Sequence, residues 1–163
     1  MTVPDGWADF FVATAGAAGA LAGLIIVAMS VNIKQILDIP SMTSRAAATV
    51  GSLVLIVVSA AAGLVPGQGP RFLGGEVLLF SLVALGLTLD ASVRMLRAAP
   101  AEWRTSTWAK VVLALVQVVP FAVGALVLLT GSYAGLYWIA AGIVLVFAGS
   151  VGNAWVLLVE ILR

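Results

Sequence analysis

Five apolar stretches, each about as long as a bilayer is thick, leave this chain very few folds. A hydrocarbon core of roughly 30 Å takes about 20 predominantly apolar residues as a helix. The runs over about 8–33, 45–65, 72–97, 107–130 and 135–161 meet that length. They are too long and continuous for membrane β-strands, which run about 10 residues with alternating polarity. Helices are the remaining way to pair every backbone group in lipid. The expected fold is therefore all-α: a polytopic membrane bundle of five transmembrane helices, forming a single helical domain over 1–163 with no soluble domain. The breaks "LDIPSMTSR" (37–45), "PGQGPR" (66–71), "RAAPAEWRTST" (97–107) and "TGSYAG" (130–135) are too short to fold separately. Pro and Gly punctuate them, and Ser44 and Ser106 or Thr107 are the expected N-caps of the second and fourth helices. No internal repeat is visible, and an odd number of spans argues against a simple inverted repeat.

Composition agrees and excludes several functions. Hydrophobic residues make up 63% of the chain and charged ones 9%, against about 45–50% and about 25% in soluble domains. Eight dispersed basic residues and a net charge of +1 give no dense basic face for phosphates, so no nucleic-acid partner is expected. Cys and His are both absent, which removes disulfides, thiolate chemistry and the commonest metal ligands. No P-loop, nucleophile arrangement, zinc-ligand pair or carboxylate dyad is present. The chain is therefore expected not to be an enzyme, and to have no catalytic residue, cofactor or metal site. "MTVPDGWADF" carries no basic residue before its apolar run, so the first span is expected to be retained rather than cleaved as a signal peptide. The richness in Ala, Val, Gly and Leu, with Lys outnumbered by Arg, points to a GC-rich bacterial genome and an inner (plasma) membrane location.

The basic residues set an expected orientation, because Lys and Arg in short loops stay on the cytoplasmic side. Lys34 and Arg45 flank the first break, Arg94, Arg97, Arg104 and Lys110 flank the third, and Arg163 ends the chain; Arg71 alone falls on the other side. The N-terminus is therefore expected outside and the C-terminus in the cytoplasm. Trp7, Tyr133, Tyr137 and Trp138 would form the outer aromatic belt, and Trp103, Trp108 and Trp155 the inner one.

Within "GAAGALAGLIIVAMSVNI" (16–33), helical spacing places Gly16, Gly19, Ala20, Gly23, Val27 and Ser30 on one side, and Phe11, Ala18, Leu21, Ile25 and Met29 over much of the other. "GALAG" (19–23) is a GxxxG motif, which lets two backbones approach closely in lipid. It marks either packing against another helix of the chain or a subunit contact or pore lining.

Polar residues inside the spans are the other candidates, since they are costly there. Asp90 and Arg94, four apart, share a helix face and form either an ion pair that eases burial or a cytoplasmic vestibule. Glu76, in the first turn of the third helix, is expected as an interfacial charge near Arg71. Gln117 is the deepest strongly polar side chain. Pro120 cannot donate to the carbonyl of Val116, so a carbonyl and a carboxamide lie close together near mid-bilayer, either bridged by a neighbouring helix or lining a hydrated path. Asn153 and Asn32 are further polar candidates. No carboxylate, Lys or His occupies the central third of any span, so no proton relay is visible.

"WADFF", followed by "GAAGALAGLIIVAMSVNI" and then "PSMTSRAAATV", resembles a group of small bacterial multi-pass inner-membrane proteins. Some of these carry an automatic label as modulators of a membrane-bound ATP-dependent protease. The resemblance covers the first third to half of the chain and brings no functional residues with it. It implies a bacterial inner-membrane protein and favours an accessory role. From the residues themselves, two functions are expected: a homo-oligomeric channel or small-solute or ion pathway, or a non-catalytic accessory subunit of a larger membrane complex. The expected partners are the lipid bilayer and copies of the chain associating through small-residue helix faces, with another membrane protein as the alternative.

Overall fold

The computed structural model describes residues 3–31, 33, 40–99 and 104–155. Among these the chain is helical and has no strand. Five helices follow in order: α1 Trp7–Val31, α2 Pro40–Gly63, α3 Pro70–Ala98, α4 Arg104–Leu129 and α5 Gly135–Trp155. Each contains a segment long and apolar enough to cross a membrane, as in a multi-pass membrane protein.

The expected caps lie inside their helices: Ser44 falls within α2, and Ser106 and Thr107 within α4. Proline fixes φ near the helical value and gives up only an N–H that the first turn leaves unpaired anyway. Helix α3 starts in this way, with Pro70 following Gly69 as the N-cap. The turns at the other end use glycine where the backbone needs it: Gly67 has φ 74° and Gly131 φ 94°, values that side chains with a Cβ rarely adopt.

Consecutive helices pack antiparallel, and α2 also meets α5, so α2, α3, α4 and α5 form a ring. Helix α1 lies outside that ring, against α2 and touching α5. It is anchored at its first turns. The Trp7 ring meets Tyr137 of α5 edge-on at 5.2 Å, and Phe11 is buried on Gly63, where a Cβ would run into the ring, 2.7 Å from its Cδ2. The buried positions of α1 are Phe11, Thr14, Ala18, Ile25 and Ala28. They recur at steps of three, four and seven, the spacing of one seam along a neighbouring helix.

The apolar core fills the half of the ring nearest Trp7, Gly67 and Gly131. Leu73, Val77, Phe121, Leu128, Leu136 and Ile139 are at most 1% exposed there. Close packing in lipid depends on shape, because the surrounding hydrocarbon is as apolar as the core. Glycine supplies the shape. A Cβ on Gly124 would meet the Gly135 carbonyl at 2.6 Å, and one on Gly142 would meet the Phe121 ring at 2.6 Å. Gly74 sits equally close to α4, 2.8 Å from the Ala125 carbonyl by the same measure.

Candidate functional site

The other half of the ring is built differently. Toward the end that carries Arg94, Arg97, Arg104 and Lys110, here called the basic end, the inward positions of α2 and α3 are small and hydroxylated. Thr49 and Ser52 on α2 and Thr88 and Ser92 on α3 are all under 9% exposed. These side chains are too small to fill the ring. They leave a cavity of about 110 Å³, also lined by Lys110 and Gln117 of α4, by the apolar Met95 and Leu113, and backed by Gly149 of α5.

Gln117 lies at the midpoint of the 26-residue α4, and Lys110 lies two turns nearer the basic end, about 10 Å along the axis. The cavity therefore runs from the basic end toward the middle of the bundle. Beyond Gln117 the ring closes on Phe121, which is fully buried, and on the apolar core behind it. Pro120 is buried beside this closure, and α4 continues through it without a break.

Hydrogen bonding gives the cavity its chemical character. The Ser52 hydroxyl donates to the Ala48 carbonyl at 3.0 Å, Thr88 to Ala84 at 2.8 Å and Ser92 to Thr88 at 2.7 Å. Each directs its proton to the preceding helical turn and keeps oxygen lone pairs for the cavity. The Gln117 carboxamide packs on Gly149, where a Cβ would meet its Cδ at 2.6 Å, and no hydrogen bond to it is seen among the described residues. Gly149 is thus small so that the amide can cross from α4 to α5 at the cavity floor.

Other sequence candidates lie elsewhere. Arg94 donates to Asp90 at 2.8 Å, but both side chains are more than half exposed, and they point away from the cavity that their neighbours Ala91 and Ser92 line. Water and salt screen an exposed pair of this kind, so it adds little to the fold. Glu76 is held by Gln68, whose amide donates to it at 2.6 Å, rather than by Arg71. Asn153 falls in α5 one turn past Gly149, with its side chain outside the described residues. Asn32 lies outside them altogether.

The small-residue stripe of α1 faces outward. Gly16, Gly19, Ala20, Gly23 and Ser30 are exposed, and a Cβ built on any of the three glycines would meet nothing within 4 Å. The Ser30 hydroxyl is turned back onto the Ile26 carbonyl at 3.0 Å. Within one chain, α1 packs through the opposite face, where Phe11, Ala18 and Ile25 are buried. Among the described residues the stripe therefore makes no contact with another helix of the chain.

Sequence reasoning missed the hydroxyl lining, Lys110 as a lining residue, and the glycines that do pack helices. A signal for the lining was present: Ser81, Thr88 and Ser92 on α3, and Thr49, Ser52 and Ser59 on α2, repeat at steps of three, four and seven along otherwise apolar helices. That periodicity places each set on one face. Comparison with protein-family models, with curated proteins and with solved structures returns no match.

Proposed function

We propose that the protein is a bacterial plasma-membrane pathway for a small solute or ion, assembled from several copies of the chain. In this reading the N-terminus is outside and the C-terminus cytoplasmic, as the distribution of basic residues favours. The observation that carries the reading is the cavity with its hydroxyl, amide and ammonium groups, which reaches the middle of α4 at Gln117. Buried polar groups in a membrane bundle are costly and are kept where they serve a path or a site. A cavity closed at one end by Phe121 and its neighbours is half of a path. Its entrance is cytoplasmic, and the remaining half opens by movement of the ring or between subunits.

The test is flux into vesicles reconstituted with the purified protein, under gradients of small ions and of small neutral solutes. A protein-dependent flux above that of empty vesicles is expected. A folded, oligomeric protein that passes none of them would refute the pathway.

A second reading, an accessory subunit of a larger membrane complex, draws on α1. Only 22% of its span is buried within the chain, against 56% for α2. Gly19→Leu distinguishes this surface from the fold. Its side chain would enter open space, so stability of the solubilised chain is expected not to fall, and to rise by at most about 1 kcal/mol as a helical glycine is replaced. The size of the assembly in mild detergent is expected to fall. If partners other than the chain itself are lost instead, the accessory reading gains; if the size is unchanged, α1 is not an assembly surface.

A further inference from the structure

We infer that the cavity is a binding site for a small monovalent anion, held between Lys110 at its mouth and Gln117 at its floor. The inference rests on the pathway reading above and supplies the class of solute.

Charge is the first argument. Among the described residues lining the cavity there is no carboxylate, and Lys110 is the only ionised side chain of that set. The nearest acidic group in the sequence of α3, Asp90, is engaged by Arg94 and points off the cavity. Lys110 makes no ion pair among the described residues. A cation at the entrance of a low-dielectric cavity attracts an anion and repels cations, as rings of Lys or Arg do in anion pores.

The donor set is the second argument. The Gln117 amide offers two N–H groups at the floor, where no other partner among the described residues takes them. The Ser52, Thr88 and Ser92 hydroxyls now point at backbone carbonyls. Those bonds are internal to each helix, so a hydroxyl can rotate its proton toward an anion without moving any helix.

Size is the third. About 110 Å³ corresponds to roughly four waters at a liquid share of about 30 Å³ each. That admits chloride with part of its water, or nitrate or formate, and excludes a bulky organic anion such as gluconate.

Two measurements decide this. The first is chloride efflux from vesicles containing the protein, with a potassium ionophore carrying the compensating charge, repeated with nitrate and gluconate and, without the ionophore, with potassium and urea. The second is chloride NMR line broadening by the protein in detergent, which needs no transport. Chloride and nitrate are expected to pass and gluconate not. Lys110→Gln is expected to lower both efflux and broadening roughly tenfold or more, the effect of withdrawing a unit charge from within a few ångströms of the ion. Lys110→Arg is expected to restore them, and Arg97→Gln, a charge change at the same end but off the cavity, to leave them unaltered. Flux of potassium or urea without chloride, or chloride flux indifferent to Lys110, would overturn the anion site and leave a pathway. Lys110-dependent broadening without any flux would uphold the site and refute the pathway. Neither flux nor broadening would refute both.

Discussion

Leucine in place of Gly124 is expected to keep α4 and α5 from closing and to cost at least about 3 kcal/mol, the upper part of the range for overpacking a tight interior. The reason is what the side chain would strike. A Cβ at this position falls 2.6 Å from the Gly135 carbonyl and 3.1 Å from the Ile139 amide nitrogen. Both are backbone atoms of a helix, which cannot swing aside as the tip of a long side chain can. Gly135 sits on Gly124 in return, so the two form a reciprocal close contact just below the "TGSYAG" turn. Denaturation in mixed micelles, followed by far-ultraviolet circular dichroism, gives the stability directly. Gly19→Leu, an identical chemical change on the open face of α1, serves as the control. Equal stability of the two variants would mean that the α4–α5 contact does not hold the bundle.

Gln117→Leu is expected to leave the fold intact and reduce flux by about one to two orders of magnitude, the effect of one lost hydrogen bond of about 1–3 kcal/mol where no water replaces it. Leucine is similar in volume, and Gln117 makes no hydrogen bond among the described residues, so little packing or bonding is lost. What disappears is the polar floor of the cavity, and with it the bond that a solute reaching that depth would make. Vesicle flux, with stability measured on the same preparations, checks the result. A large loss of stability would instead place Gln117 among the residues that tie α4 to α5. Unchanged flux would place the path elsewhere.

The membrane bundle was legible in the sequence because the relevant signal is local. A run of apolar residues as long as the bilayer is thick, ended by a Pro-Gly break, announces a span and a turn whatever the neighbours are. Caps were less legible: Ser44 and Thr107 suit a helix N-terminus by residue type, yet both lie inside their helices. Packing was harder still. GxxxG permits close approach but does not say which helix approaches. The motif in α1 lies open while Gly63, Gly74, Gly124, Gly135 and Gly142, none of them in a GxxxG contained within one helix, carry the contacts. Gln117 stood out alone as a deep polar residue. Its setting did not, because the cavity is made jointly by Thr49 and Ser52 of α2, Thr88 and Ser92 of α3, Lys110 of α4 and Gly149 of α5. Each is ordinary in its own helix, and only the ring of four brings them together.

The division of the ring into a wet half and a dry half can be probed with single cysteines, because the chain contains none of its own. Ser92→Cys places a thiol in the cavity lining, whereas Ser81→Cys places one three turns away on the same helix, at a fully buried position. A small, membrane-impermeant, anionic methanethiosulfonate is added to one side of oriented membranes at a time. The Ser92→Cys variant is expected to be labelled from the basic end alone, and the Ser81→Cys variant from neither side. A Ser92→Cys variant that stays unlabelled from both sides, or a Ser81→Cys variant labelled just as fast, would contradict a water-filled cavity that opens at the basic end and stops at Gln117.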